Sequence, residues 1–152
     1  MEGLSKYISD KLNEGKLLKE IKDDLLTIID KNIIDYCFSI AKFIPNTYNK
    51  IKLNEYSNDN FEIILICWSD NSETFIHDHP DKGCILYLID GKIEEQLYND
   101  KIILTKTTII KSGSISYMDN NIGYHKIKCI DKSLSLHFYS PPNYKMRIIK
   151  KI

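Results

Sequence analysis

The sequence predicts a mainly β protein, a small antiparallel β-sandwich or barrel preceded by a helical segment. Two observations predict this fold. Apolar residues recur at helical spacing up to Pro45, and beyond it the pattern changes to short β-rich runs separated by turn residues. Many short strands at regular spacing are typical of antiparallel sandwiches and barrels. We therefore expect N-terminal helices over residues 1–45 to pack on a β-barrel over residues 46–152, as one structural domain.

The segment before Pro45 carries two amphipathic stripes. The first extends from Leu17 to Ile29 and predicts one helix, which ends at Asp30-Lys31-Asn32. The second extends from Ile33 to Ile44 and stops at the proline, which cannot continue a helix. A shorter helix is expected before Gly15. We expect these helices to cover one face of the core and assign them no chemistry.

The segment after Pro45 is rich in strand formers. Asp90-Gly91 lies between two apolar runs and predicts a hairpin, because a type I′ turn requires positive φ at both central residues. Asp131-Lys132-Ser133 predicts a second turn between strands. The predicted strands are FEIILICW, CILYLI, KIEEQLY, KIILTKTTIIK, SISYM, YHKIKCI and LSLHFYS.

Composition excludes several classes of function. The 21 basic and 21 acidic residues balance to a net charge of zero, which offers no field for a phosphate backbone, so no nucleic-acid partner is expected. No apolar run has the length of a membrane span, and the N-terminus lacks the apolar core of a signal peptide. We expect a cytoplasmic monomer without a membrane partner. Its four cysteines, which show no CxxC pair, are expected to be free thiols.

All four histidines lie in the β-rich part of the chain. His77 and His79 are two residues apart, so on an extended strand both side chains project from the same face. A barrel brings its inward-facing side chains together, so a histidine from a distant strand can join this pair. His125, which follows a Gly-Tyr turn, is the better candidate for a third metal ligand, and His137 is the alternative.

The segment SLSLHFYSPP places Ser135, His137 and Tyr139 on one face of a strand. Inside a barrel this polar row would have to be hydrogen-bonded, whereas on the outside it would be solvated. The pattern leaves both orientations open. Asp78, between the first two histidines, should point away from them and is interpreted as a structural hydrogen-bonding residue.

These motifs resemble the cupin superfamily and, within it, the cysteine dioxygenase type I family. The His-x-His-x4-Cys-x6-Gly spacing that begins at His77 is similar to the first cupin motif, with Cys84 where many cupins place a metal-binding glutamate. The Gly-x-His that ends at His125 resembles the second motif. ILICW, IHDHPDKGC, GYHKI and SLSLHFYSPP occur in the order typical of cysteine dioxygenases. The resemblance covers Tyr48 to Pro142 and implies a cupin-type β-barrel.

The resemblance also implies a cofactor and a reaction. In that family three histidines hold Fe(II), and they match His77, His79 and His125. Imidazole suits iron, and three neutral ligands leave the full charge of the metal to favour a bound thiolate. The implied activity adds O2 to the sulfur of L-cysteine and gives cysteine sulfinic acid. A small thiol and O2 are therefore the expected partners.

Four further residues take catalytic roles in the resemblance. Cys84 and Tyr139 match a cysteine and a tyrosine that become joined by a thioether bond. Ser135 and His137 match a hydrogen-bonded relay that fixes the direction of the tyrosine hydroxyl.

The substrate-binding residue of the family has no clear match. Its carboxylate-binding arginine belongs to an early strand, where this chain reads TYNKIKLNEYSNDN without an arginine. Lys50 and Lys52 are candidate replacements, although a lysine does not offer the arginine fork, and Arg147 is the third candidate. Two alternatives therefore stand beside L-cysteine oxidation. One is oxidation of another small thiol, a mercaptocarboxylate or an aminothiol. The other is a non-catalytic metal-binding cupin that binds or senses a small molecule.

Overall fold

An antiparallel sheet of eight strands forms most of the protein, and helices precede it, which confirms the predicted fold class. The computed structural model describes residues 1–150. The helices are α1 (Glu2–Asn13), α2 (Leu18–Ile21), α3 (Leu25–Ile28) and α4 (Lys31–Ile40), and the strands are β1 (Tyr48–Lys52), β2 (Glu62–Trp68), β3 (Ile76–His77), β4 (Cys84–Tyr98), β5 (Leu104–Lys111), β6 (Ile115–Met118), β7 (Tyr124–Tyr139) and β8 (Ile148–Lys150). The sheet follows the order β1-β2-β7-β3-β8, and β4 pairs with β5, β6 and β7.

The helices differ from the prediction in two respects. The second stripe was expected to be helical up to Ile44, but α4 ends at Ile40. The single helix expected from Leu17 to Ile29 is wrong, because a turn at residues 22–24 divides it into α2 and α3. Hydrogen bonds of i to i+3 spacing form this turn, and the Tyr7 hydroxyl of α1 donates to Asp24 at 2.7 Å. Apolar spacing does not reveal such a contact. Within residues 1–150 no helix is both long and apolar enough to cross a membrane.

Two predicted turns are wrong because each lies inside a long strand. β4 passes through Asp90-Gly91 and β7 passes through Asp131-Lys132-Ser133. The two strands pair along their length, and their register shifts at this level. Gly91 has a φ of +96°, and a Cβ there would collide with the Ser133 hydroxyl oxygen. The glycine therefore lets both strands bend together at a bulge, and no hairpin forms.

Alternation along β2 and β7 separates two cores. Leu65 and Leu136 face the helices and belong to a core that includes residues of all four helices. Ile64 and Ile66 face the interior of the sheet, and their cross-strand partners on β7 are His137 and Ser135. Directly opposite residues of an antiparallel pair share a face. The polar row whose orientation the sequence left open therefore lies inside, where its members are buried.

Candidate metal centre

Three buried histidines lie close together on the inner face of the curved sheet. His77 on β3 pairs directly with His125 on β7, and His79 lies just beyond the end of β3. The Nε2 atom of His125 is 3.1 Å from that of His77 and 2.9 Å from that of His79. His137, the alternative third ligand, is outside this cluster. The structure thus brings together the three histidines that the resemblance implied.

Two of the three histidines have a hydrogen bond at Nδ1, which leaves Nε2 facing the centre of the cluster. His77 Nδ1 lies 2.8 Å from the carbonyl oxygen of Phe75, and His125 Nδ1 lies 2.8 Å from a carboxylate oxygen of Glu95. Because these oxygens accept, each Nδ1 carries the proton and each Nε2 presents a lone pair. Two lone pairs 3.1 Å apart repel each other unless a cation lies between them.

The protonation state of the cluster suits a metal. Burial lowers the pKa of His77 and, well below the ordinary value, the pKa of His79 and of His125. Imidazole binds a metal in its neutral form, which burial therefore favours. The Nδ1 atom of His79 is buried and has no hydrogen-bond partner within the described chain.

The separations of the nitrogen atoms fit a single ion. Nitrogen ligands about 2.1 Å from one metal, at right angles to each other, lie about 3.0 Å apart. The two measured Nε2 separations are 2.9 and 3.1 Å. Imidazole is a ligand of iron, copper, nickel and zinc. The residues present therefore fit one transition-metal ion with three nitrogen ligands.

Glu95 is a site residue that the sequence did not single out. It lies on β4 and accepts the proton of His125 Nδ1, an arrangement that orients a metal-binding histidine and increases its basicity. Burial raises the pKa of Glu95. In the run KIEEQLY nothing distinguishes Glu95 from Glu94. The pairing of β4 with β7 makes the difference, because it sets His125 opposite Leu97, two residues from Glu95.

A second row of polar side chains adjoins the histidine cluster. The indole N–H of Trp68 donates to the Ser135 hydroxyl at 2.8 Å, and this hydroxyl lies 2.7 Å from His137 Nε2. His137 Nδ1 is 3.3 Å from the Tyr139 hydroxyl. Burial lowers the pKa of His137 well below its ordinary value, so the ring is neutral. The hydrogen bond from Trp68 to Ser135 is not evident from the sequence, because it joins β2 to β7.

Directions of donation along this row follow from its first member. Indole N–H can only donate, so Trp68 leaves the hydrogen of the Ser135 hydroxyl free for His137 Nε2. His137 then carries its proton on Nδ1 and donates to the Tyr139 oxygen. With every group of the row paired in this way, the Tyr139 hydroxyl retains its own hydrogen for a further acceptor. Burial raises the pKa of Tyr139 well above its ordinary value, which keeps that hydrogen in place.

Cys84 is close to the end of the same row. It pairs directly with Tyr139 across β4 and β7, and its sulfur is 4.0 Å from His137 Nδ1. Burial raises the pKa of the Cys84 thiol to about 12. The thiol is thus protonated at neutral pH and faces the phenol.

Two cavities that share lining residues lie beside the histidines. The inner cavity, of about 20 Å³, is lined by the histidine cluster, Cys84 and Tyr139, and the outer cavity has about 360 Å³. Lys50 lines both cavities, whereas Lys52 lines only the outer one. The protein around Lys50 removes hydration from its ammonium group and lowers its pKa, although the side chain stays accessible.

Arg147, the third candidate for substrate binding, lies outside both cavities. Its side chain is 69% exposed, and its Nε is 3.3 Å from Asp78. Asp78 also accepts from the backbone N–H of Arg147 at 2.6 Å and from the Tyr144 hydroxyl at 2.9 Å. Asp78 therefore has the structural role interpreted from the sequence. It holds the segment from Tyr144 to Arg147 against the part of the chain that carries His77 and His79.

Comparison with known proteins identifies similar sequences. The family model "Cysteine dioxygenase type I" matches residues 23–151. The cysteine dioxygenase type 1 of Bos taurus is 30% identical over 111 residues, which cover 67% of this chain and 55% of that protein. The corresponding protein of Danio rerio is 25% identical over 152 residues, which cover 93% and 75%. The chain thus spans about half the length of the mammalian relatives it matches.

Solved structures share the fold. A protein with a double-stranded β-helix domain from Klebsiella pneumoniae has a TM-score of 0.60 at 15% identity, over 76% of this chain and 95% of that one. A cupin superfamily protein from Desulfitobacterium hafniense has a TM-score of 0.56 at 11% identity, over 67% and 84%. These likenesses confirm the expected cupin fold.

Proposed function

Because this chain belongs to the cysteine dioxygenase type I family, we propose that it is a mononuclear non-haem iron enzyme that adds both atoms of O2 to the sulfur of L-cysteine, giving cysteine sulfinic acid. The convergence of His77, His79 and His125, two of them with Nε2 lone pairs directed inward, carries the proposal. Ferrous iron held there supplies open positions for a thiolate and O2 and favours the thiolate form of the substrate.

In this proposal Tyr139 is the residue that orients the reactants. Its hydroxyl accepts from His137 and directs its own hydrogen into the inner cavity, where the substrate or O2 accepts it. Ser135 and Trp68 hold His137 in the tautomer that this requires. Preorganised donors of this kind stabilise developing charge without reorganisation. Tyr139 is thus a catalytic residue, and His137 and Ser135 are positioning residues.

Lys50 is the proposed anchor for the substrate carboxylate. It lines both the inner and the outer cavity. Within residues 1–150 no carboxylate oxygen lies within 4 Å of the Lys50 Nζ, so the positive charge of Lys50 can pair with a substrate carboxylate. Lys52 lies on the same face of β1, farther out, and contributes attraction at longer range.

A second candidate function follows from this lysine. A point charge in place of a planar fork constrains the orientation of a carboxylate less, so a mercaptocarboxylate without an amino group is a reasonable substrate of the same site. An aminothiol such as cysteamine is disfavoured, because its ammonium group would meet Lys50 and Lys52.

The test is oxygen consumption by the protein reconstituted with Fe(II). We expect uptake of O2 with L-cysteine or 3-mercaptopropionate, formation of the sulfinate by mass spectrometry, and little turnover of cysteamine. The His125→Ala variant serves as the control without a complete site. Absence of O2 uptake with every thiol, in protein that retains iron, would leave a metal-binding cupin that binds or senses a small molecule. The cytoplasmic location and the monomeric state stay predictions.

A further inference from the structure

The three histidines of the metal centre are not oriented in the same way. His77 and His125 each have a hydrogen bond at Nδ1, to Phe75 and to Glu95 respectively. His79 has none, since its Nδ1 is buried without a partner in the part of the chain that the structure describes. A metal ligand without such a partner lacks the interaction that normally fixes its ring. Some other contact must hold His79 in place.

The backbone of His79 is held instead. The side-chain amide of Asn120 accepts from the His79 N–H at 2.9 Å and donates to the His79 carbonyl at 3.0 Å. The N–H and the carbonyl of His79 belong to successive peptide units, and both pair with one planar side chain, so the backbone at His79 resists rotation as well as displacement. Asn120 lies outside the strands, and its side chain is exposed. It therefore makes little contribution to the core.

The loop that carries Asn120 is itself well anchored. Asp119 is buried and accepts from the backbone N–H groups of Asn121 and Ile122, at 2.9 and 3.0 Å. The Tyr117 hydroxyl donates to the other carboxylate oxygen of Asp119 at 2.7 Å. β7, with His125 as its second residue, begins directly after this loop. Asn120 thus joins the backbone of His79 to the anchored loop that leads into β7 and His125.

We propose that Asn120 is the positioning residue of His79, and that it acts on the metal through the backbone where Glu95 acts on His125 through the ring. This inference rests on the proposed function, because it requires that the three histidines bind a metal. Loss of an interaction that orients a metal ligand lowers metal affinity by 10- to 100-fold in known sites, and we expect an effect of about tenfold here.

The first test compares single variants. Co²⁺ serves as the metal probe, and its dissociation constant is measured by competition with a chelator. We expect Asn120→Ala to bind Co²⁺ about tenfold more weakly than the parent protein. Asn120→Asp, which keeps the acceptor for the His79 N–H but loses the donor to the carbonyl, should fall between the two. Asn121→Ala, a change at the neighbouring exposed residue, is the matched control and should bind as the parent does.

The second test separates positioning of His79 from a general weakening of the loop. Asn120→Ala is combined with His79→Ala and, separately, with His77→Ala. If Asn120 acts through His79, the Asn120→Ala substitution has no further effect on Co²⁺ affinity when His79 is already alanine. The same substitution keeps its full effect when His77 is alanine. Equal effects in both backgrounds would overturn the inference, as would parental affinity in Asn120→Ala. Failure of the parent protein to bind Co²⁺ would instead contradict the proposed function, and this inference with it.

Discussion

Cys84 and Tyr139 are direct cross-strand partners in the antiparallel pairing of β4 with β7. Side chains at such positions have Cβ atoms about 4.5–5.5 Å apart and lie on the same face of the sheet. Both residues also line the inner cavity next to the histidine cluster. The pairing places a thiol and a phenol side by side where an oxidant can reach them.

This pairing predicts a covalent bond between the two side chains. Formation of the thioether removes one hydrogen from the Cys84 sulfur and one from the Tyr139 ring, and these two hydrogens with their electrons reduce one O2 to H2O2. Protein isolated with iron in air should therefore contain a fraction that is about two daltons light. Intact mass spectrometry checks this. Tyr139→Phe should contain no light fraction, and its persistence there would disprove the pair. Cys129→Ser, a change at another buried thiol, should retain it.

Glu95 should increase metal affinity through His125. Glu95→Gln replaces the carboxylate with an amide, which weakens the hydrogen bond to Nδ1 and lowers the basicity of Nε2. We expect Fe²⁺ or Co²⁺ to bind 10- to 100-fold more weakly. Glu94→Gln is the matched control, since Glu94 adjoins Glu95 but its carboxylate pairs with Gln96. An equal loss in both variants would show that surface charge, rather than the contact with His125, is responsible.

Lys50 should determine affinity for the substrate carboxylate. A hydrogen bond to a charged group is worth about 1.5–3 kcal/mol, so Lys50→Met should lower kcat/KM for L-cysteine or 3-mercaptopropionate by roughly 10- to 100-fold. Lys50→Arg keeps the charge and should retain most of the activity. Lys52→Met should have a smaller effect, because Lys52 contacts only the outer cavity. Steady-state kinetics with each thiol measure these values. Unchanged kcat/KM in Lys50→Met would exclude Lys50 as the anchor.

Because its four histidines are buried, we expect the metal-free protein to lose stability as the pH decreases. Burial lowers the pKa of all four histidines, so below about pH 6.5 the unfolded chain binds protons that the folded chain does not. The free energy of unfolding therefore falls as pH decreases through 6.5, by up to about 1.4 kcal/mol per pH unit for each histidine. Denaturant titrations between pH 7.5 and 5 should show this slope. His137→Gln should reduce it by one proton, and a stability independent of pH would contradict the assignment.

The sequence was sufficient for the residues whose chemistry follows from local spacing. The pair His77 and His79, and the alternation of Ser135, His137 and Tyr139, could be recognised along one segment each. Glu95 and Asn120 could not, because they reach the metal ligands through strand register and loop geometry. Strand register also explains the two wrong turns: Asp90-Gly91 suits a hairpin and a bulge equally well, and the partner strand selects the bulge.

The most direct test of the account is X-ray absorption at the iron K-edge of protein reconstituted with Fe²⁺. We expect one iron per chain with three imidazole ligands in the parent protein, and one iron with two imidazole ligands in the His79→Ala variant. Iron that binds without imidazole ligands, or whose spectrum is the same after His79, His77 and His125 are each replaced by alanine, would contradict it.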